Sequence, residues 1–226
     1  MIYVMSDIHG CYDKYMAMLE MIGFNDDDML YILGDVLDRG PKGMKVLLDI
    51  ANRKNVIMLR GNHDQEAVLL LSNLYLMSQD ETADRLAPLF QMWLSDGGNA
   101  TMNEFLTLTD EEQEVALSVV KKSLVSKELV VGEQRYLLSH TVPEIDKLED
   151  YKNWTVDDFI MGEPDYEQVY FEDMIIISGH TPTGFIAPDS KGRIWNQNNH
   201  IAIDCGAVFG NPLGCLCLNT MAEFYV

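Results

Sequence analysis

Short apolar runs and stretches of helical spacing alternate along the first third of the chain. Residues 1–5, 29–33 and 56–59 are apolar runs that predict buried strands. Apolar residues at helical spacing follow the first run as far as Gly23, and they follow the second run after Pro41. The order strand, helix, strand, helix, strand predicts a parallel βαβαβ unit with right-handed crossovers.

The pattern changes after the third strand. From about residue 65 to about residue 126 the apolar spacing is helical, and strand-like runs are missing from the sequence. Asp96-Gly97-Gly98 interrupts this spacing. We interpret residues 65–126 as a helical insertion.

Strand-like runs return in the second half. A hairpin is predicted around Gly132-Glu133, and a buried strand at 174–178. Further strands are predicted at 192–195, 200–203, 213–218 and 223–226. We expect the second half to be more antiparallel than the first, and two sheets, one from each half, to pack face to face. The predicted fold is α/β, a four-layer α/β/β/α sandwich of two mixed sheets with a helical insertion, in a single domain over residues 1–226.

Composition and charge restrict the classes of partner. The hydrophobic fraction of 47% is ordinary for a globular protein, and no apolar run reaches the roughly 20 residues that cross a bilayer. Met1 leads directly into a predicted strand without a visible leader, so we expect a cytoplasmic protein with no membrane partner. The formal charge is −20, which argues against nucleic acid as a partner because such binding depends on clustered Lys and Arg.

Six polar side chains follow apolar runs at turns of small residues, and all six are candidate metal ligands. They are Asp7, His9, Asp35, Asn62, His140 and His180. Ligands at the carboxyl ends of strands are typical of sites in open α/β sheets. Carboxylate, imidazole and amide donors suit Mn, Fe, Zn or Co better than calcium, which prefers oxygen. Six ligands are too many for one catalytic metal with an open position, and they suit two metals that share a carboxylate.

The candidate ligands stand in sequence blocks that resemble a known family. The blocks are SDIHG (6–10), GDVLDRG (34–40), RGNHD (60–64), the histidines of LSHT and SGHT, and IDCGAVFG (203–210). Together they resemble the calcineurin-like metallophosphoesterase superfamily. Within it they look most like the phosphoprotein-phosphatase family of Ser/Thr phosphatases, in its bacterial and phage branch.

The resemblance implies a dinuclear, metal-dependent phosphatase and a role for each matching residue. The ligands implied are Asp7, His9 and Asp35 for one metal, and Asp35, Asn62, His140 and His180 for the other. A hydroxide that bridges the metals would attack phosphorus. His63, paired with Asp38, would protonate the leaving oxygen, while Arg39 and Arg60 would hold the phosphate.

The chain departs from the family pattern at three positions, the first of which is Ser6 in place of the usual Gly. Asp64 stands where the family usually has Glu, and Val156 stands where the bacterial branch usually has an arginine that contacts phosphate. Many acidic residues lie between positions 144 and 173. If they line the mouth of the site, we expect them to favour neutral or basic phosphopeptides over polyanionic dinucleotides.

The resemblance leaves more than one function open. We expect a Ser/Thr protein phosphatase acting on a phosphorylated protein or a small phosphoester. The alternative is a symmetrical bis(5'-nucleosyl)-tetraphosphatase, a branch that tends to carry Ala at the position of Asp38. A non-catalytic metal-binding regulatory protein is a third possibility, and the complete set of ligands argues against it.

Overall fold

In the computed structural model, which describes residues 1–74 and 80–226, two five-stranded sheets form the centre of the protein. The strands are β1 (Ile2–Met5), β2 (Met29–Leu33), β3 (Val56–Leu59), β4 (Ser126–Val131), β5 (Gln134–Ser139), β6 (Met174–Ser178), β7 (Trp195–Gln197), β8 (His200–Ala202), β9 (Gly214–Cys217) and β10 (Ala222–Tyr225). The helices are α1 (Tyr12–Met21), α2 (Gly43–Ala51), α3 (Asn62–Ser72), α4 (Asp80–Trp93), α5 (Asn99–Phe105), α6 (Asp110–Lys122), α7 (Val156–Ile160) and α8 (Thr183–Ile186).

The two sheets have the strand orders β10-β9-β1-β2-β3 and β4-β5-β6-β8-β7. Among the described residues, each sheet contains two parallel and two antiparallel pairs of strands. The α/β class with two mixed sheets is therefore confirmed. The expectation of one sheet from each half is wrong, because β9 and β10 return to the first sheet, where β9 pairs antiparallel with β1. The expectation of a more antiparallel second half is confirmed, because the first-half pairs β1–β2 and β2–β3 are parallel, whereas β4–β5, β7–β8 and β9–β10 are antiparallel.

Alternate residues of each strand point to opposite faces of their sheet, and this alternation separates the layers of the core. Val4 and Leu33 of the first sheet pack with Ile177 of the second, so the two sheets lie face to face. Met5 and Ile32 point the other way, into a core shared with the helices of the first half. The predicted sandwich is built from this alternation.

An irregular segment covers the outer face of the second sheet. Leu137 and Ile176 pack there against Val142 and Tyr170, with Trp154 partly buried beside them. This segment follows β5 and contains only the short helix α7 and a 3₁₀ stretch among its regular elements. The acidic region expected at the mouth of the site therefore contributes to an outer layer.

The predicted insertion corresponds to α3–α6, apart from residues 75–79, which lie outside the described residues. Trp93, Phe105 and Val120 from these helices are buried in the same core as Met44 of α2. This shared core supports the proposal of a single domain. Across the described residues, no helix combines the length and the apolar composition required to cross a membrane.

Candidate metal centre and active site

The six candidate ligands lie just beyond strand ends, and hydrogen bonds join the turns that carry them. The N–H of Asp7 donates to the carbonyl of Gly34 at 3.1 Å, and the N–H of His9 donates to the carbonyl of Asp35 at 2.9 Å. The turns after β1 and β2 are thereby fixed side by side. The N–H of Gly179 likewise donates to the carbonyl of His140 at 2.9 Å, which joins the ends of β5 and β6.

Three electron-rich atoms converge at the second-sheet side of this cluster. His140 Nε2 lies 3.0 Å from Asn62 Oδ1 and 3.1 Å from His180 Nδ1, and the last two atoms are 3.2 Å apart. His140 Nδ1 lies 2.7 Å from the carbonyl oxygen of Leu33, so Nδ1 carries the proton and Nε2 presents a lone pair. A proton on His180 can satisfy only one of the three contacts, whereas a cation among them satisfies all three.

Asp35 connects this group of ligands to a second one. Its Oδ2 atom lies 3.5 Å from His9 Nε2 and 3.5 Å from His140 Nε2. His9 Nδ1 lies 2.7 Å from the carbonyl oxygen of Leu37, so the lone pair of His9 also faces the cluster. Two groups of possible metal ligands result, one with His9, Asp35 and His63 and one with Asp35, His140 and His180, each with its ligand atoms within 4.8 Å.

The protonation states of the cluster suit a metal. Burial lowers the pKa of His9 to about 3 and that of His180 to about 4, and it lowers the pKa of His140 well below its ordinary value. These imidazoles are neutral near pH 7, the form that binds metal. Burial raises the pKa of Asp35 well above its usual value, and the nearby Asp7 carboxylate raises it further. A divalent cation would oppose this effect by favouring the ionised carboxylates.

Asp7 lies beside the two groups that share Asp35, and its carboxylate is bound by protein donors. It accepts hydrogen bonds from Ser6 Oγ and, at 3.1 Å, from the N–H of His180. Burial raises the pKa of Asp7 well above its usual value, and the carboxylate of Asp204 raises it further. Asp7 therefore links the turn after β1 to the turn after β6.

Backbone strain is concentrated at the cluster. Left-handed φ angles are uncommon for residues other than glycine, and such a sparsely populated conformation costs on the order of 1–3 kcal/mol. They occur at Asp7 (51°), His9 (42°), Asp35 (51°), Asp38 (67°), Arg39 (67°) and His180 (67°). Strain at four candidate ligands and at two neighbouring candidate residues supports a functional site at these turns.

Asp64 fixes the position of Asp35. Its carboxylate accepts the N–H groups of Asp35 at 2.8 Å, Val36 at 3.0 Å, Leu37 at 3.1 Å and Gly61 at 3.1 Å. Asp64 lies in the first turn of α3, so these bonds tie the turn after β2 to the turn after β3. A Cβ atom on Gly61 would lie 2.1 Å from Asp35 Oδ1, so only glycine leaves room for that carboxylate.

The helices of the insertion hold the Asp38–His63 pair. His63 Nδ1 lies 2.8 Å from Asp38 Oδ2, and Trp93 Nε1 donates to the same oxygen at 2.9 Å. The N–H of Asp38 donates to Thr101 Oγ1 at 2.8 Å. Sequence reasoning missed Trp93 and Thr101, and the only signal near them was the break at Asp96-Gly97-Gly98.

That break places a turn against Arg39. The N–H of Arg39 donates to the carbonyl of Gly97 at 3.0 Å, and Gly97 has φ +105°, where a Cβ would lie 2.7 Å from the Arg39 nitrogen. Asp96 lies 3.6 Å from the Arg39 guanidinium and 3.7 Å from His63 Nε2. Arg39 Nη1 lies 2.8 Å from His9 Nε2, so its guanidinium reaches the ligand cluster.

Arg60 points to a different part of the protein. Its guanidinium donates to Ser123 Oγ at 3.1 Å, Gln65 Oε1 at 2.8 Å and the carbonyl of Val120 at 3.0 Å. The last contact lies at the carboxyl end of α6, where a cation is favoured. Among the described residues, none of its hydrogen bonds goes to a candidate ligand. A contact between Arg60 and phosphate would require these bonds to break.

Comparisons with known proteins identify the family and some of its members. A family model described as calcineurin-like phosphoesterase matches residues 1–205. Two curated relatives are symmetrical bis(5'-nucleosyl)-tetraphosphatases, from Wigglesworthia glossinidia brevipalpis (36% identical over 81 residues) and Salmonella paratyphi C (33% over 119 residues). The matches cover 35% and 51% of this chain but 30% and 41% of the relatives. The chain thus matches less than half the length of either relative.

A solved structure described as a candidate diadenosine tetraphosphatase has the same fold. Its TM-score is 0.68 at 16% identity, over 100% of this chain and 92% of that chain. The superfamily expected from the sequence blocks is confirmed. The narrower expectation of the Ser/Thr phosphatase family is not supported, because the curated relatives carry the name of the alternative.

Asp64→Asn is expected to destabilise the protein. An asparagine side chain has one acceptor oxygen, so two of the four N–H groups would face an amide nitrogen. Each N–H left without an acceptor costs about 1–3 kcal/mol in the free energy of unfolding. Urea denaturation measures the loss, with the exposed Asp26→Asn as the matched control, expected within about 0.5 kcal/mol of the unmodified protein. Equal stability of the two variants would show that Asp64 does not fix these turns.

Proposed function

The chain belongs to the calcineurin-like phosphoesterase family, and we propose that it hydrolyses phosphoric esters with two divalent cations, of Mn, Fe or Zn. One observation carries the proposal, the convergence of lone pairs around Asp35. His140, His180 and Asn62 meet within 3.2 Å on one side of this carboxylate, and His9 lies on the other. Such donors suit two cations that share one carboxylate.

The protein supplies oriented ligands. The ligands proposed are Asp7, His9 and Asp35 for one cation, and Asp35, Asn62, His140 and His180 for the other. When bound, two cations supply positive charge that lowers the pKa of a water molecule and stabilises phosphoryl oxygens. The carbonyls of Leu37 and Leu33 hold His9 and His140 in the tautomers whose Nε2 lone pairs face the cluster.

His63 is the proposed general acid. Its Nδ1 proton is directed to Asp38, so Nε2 is the atom that can transfer a proton to a leaving oxygen. Trp93 and Thr101 fix the Asp38 carboxylate and its backbone, and thereby the orientation of the His63 ring. The ring of His63 contacts the ring of His9 edge-on, with centroids 4.9 Å apart, so the acid lies at the ligand cluster.

Arg39 is the proposed phosphate-binding residue. Its guanidinium is at the edge of the cluster, within 2.8 Å of His9 Nε2, and its planar shape suits two phosphate oxygens at once. Arg60 was predicted for the same role, and that role stays a prediction because its donors contact α6 and Gln65.

We propose nucleoside polyphosphates as the substrate class. The names of the curated relatives support the tetraphosphatase alternative over a Ser/Thr protein phosphatase. The electrostatic argument for phosphopeptide substrates is also weaker, since apolar side chains of the acidic segment pack on the outer face of the second sheet. Its Asp158 and Asp173 pair with Lys147 and Arg135. A phosphorylated protein is the second candidate, because Asp38, which the tetraphosphatase branch tends to replace, contacts His63.

His63→Asn is expected to slow esters with poor leaving groups more than aryl esters. General acid catalysis contributes about 10²–10⁴-fold, and a good leaving group needs little of it. Steady-state rates for an alkyl and an aryl phosphate, with metal content measured on the same samples, test the role. Equal slowing of both esters at unchanged metal content would exclude His63 as the acid.

The substrate class is tested by kcat/KM on manganese-loaded protein. The substrates are diadenosine tetraphosphate, a phosphoserine peptide and a cyclic nucleotide, with an aryl phosphate as the reference. We expect metal-dependent turnover of the aryl phosphate and the highest kcat/KM for the dinucleotide. A higher value for the peptide would favour the protein phosphatase, and no metal-dependent turnover of any ester would contradict the proposed function.

A further inference from the structure

We propose that a cavity beside the metal centre binds the base of a nucleoside phosphate, an inference that rests on the proposed function and specifies its substrate. The cavity has a volume of about 350 Å³ and is lined by Pro182, Phe185, Lys191, Phe209 and Asn211, among others. This volume falls within the range of roughly 300–1,000 Å³ that is typical of small-molecule sites. Pro182 and Phe185 lie in the segment that follows His180, and Phe209 and Asn211 lie in the segment that follows β8.

Two phenylalanines at this cavity are left in solvent. Phe185 is 83% exposed and Phe209 is 62% exposed. Single exposed apolar residues are common, but two aromatic rings at one cavity form an apolar surface of the kind that marks ligand sites. The ring of Phe209 contacts the Arg39 guanidinium, whose Cζ atom lies 5.6 Å from the ring centroid.

Hydrogen bonds fix the backbone segments that carry both rings. Phe185 lies in α8, where Thr183 N–H donates to the carbonyl of Asp204 at 2.8 Å and Thr183 Oγ1 donates to the carbonyl of Ser190 at 2.9 Å. Phe209 ends a 3₁₀ turn whose first carbonyl, that of Ala207, accepts from Lys14 Nζ at 3.0 Å. Because these segments are already ordered, a ligand that covers the rings would not have to order the backbone beneath them.

Arg39 joins the cavity to the ligand cluster. Its guanidinium lies over the ring of Phe209 and within 2.8 Å of His9 Nε2. The chain adds a second connection, because Pro182 follows the candidate ligand His180 by two residues. A phosphate bound by Arg39 would therefore place its attached nucleoside beside Phe209.

The chemistry of the walls fits a nucleobase. Every nucleobase has a flat π-face that can stack on an aromatic side chain, whichever of the bases it is. Lys191 lines the cavity and can supply a donor to the polar edge of a base. Asn211 adds an amide at the same wall. A phosphoserine side chain offers no comparable flat surface.

The test compares AMP with ribose 5-phosphate, which lacks the base. Equilibrium dialysis on manganese-loaded protein gives the Kd of each, with the recovered ligands checked for intactness. We expect AMP to bind more tightly, and Phe185→Ala to weaken AMP by about 5- to 150-fold, the range of base stacking on one aromatic ring. Leu106→Ala, at a residue 61% exposed that does not line the cavity, is the matched control and should keep the preference for AMP.

Three results would overturn the base site. The first is equal binding of AMP and ribose 5-phosphate to the unmodified protein. The second is a preference for AMP that survives in both Phe185→Ala and Phe209→Ala. The third is a larger loss of affinity for a phosphoserine peptide than for AMP in these variants. Because the readout is binding, it is separate from the proposed function, whose failure would appear as absent metal-dependent hydrolysis of an aryl phosphate.

Discussion

The candidate site depends on the hydrogen bonds that the carboxylate of Asp64 accepts from the backbone. This carboxylate is fully buried, and such a group is tolerated in the interior only when hydrogen bonds satisfy it. Four backbone N–H groups from two neighbouring turns do so. As a result Asp35 is held at the point where ligands from the first and second sheets meet. The strained turns around it are stable because this network and the packing of the two sheets determine their position.

The two halves of the fold contribute different parts of the site. The first sheet supplies Asp7, His9 and Asp35, and the second supplies His140 and His180, so the cluster forms only when the sheets pack face to face. The insertion adds a third part. Its Trp93 and Thr101 hold Asp38, and its Gly97 turn holds Arg39, so helices that share the core of the first half also orient the residues proposed for proton transfer and phosphate binding.

Much of the fold could be predicted from local patterns, because the strands are apolar runs and the candidate ligands follow directly after them. The strands at 29–33, 56–59 and 174–178 have the bounds that their apolar runs predict. Periodicity does not show which sheet a strand joins, and so the return of β9 and β10 to the first sheet was missed. Side-chain direction is equally hidden. Arg60 precedes the Gly-Asn-His block, yet it contacts α6, while Trp93 reaches Asp38 from 55 residues away. The sequence blocks are shared by phosphatases and tetraphosphatases, so they could not separate the two substrates.

The central claim is that Asp35 is shared by two cations. Electron paramagnetic resonance of protein loaded with Mn²⁺, together with the number of metal ions per chain, tests this claim most directly. We expect two Mn²⁺ ions per chain with an exchange-coupled signal, and loss of that coupling in Asp35→Asn. One ion per chain, or two ions without coupling in the unmodified protein, would contradict a shared carboxylate.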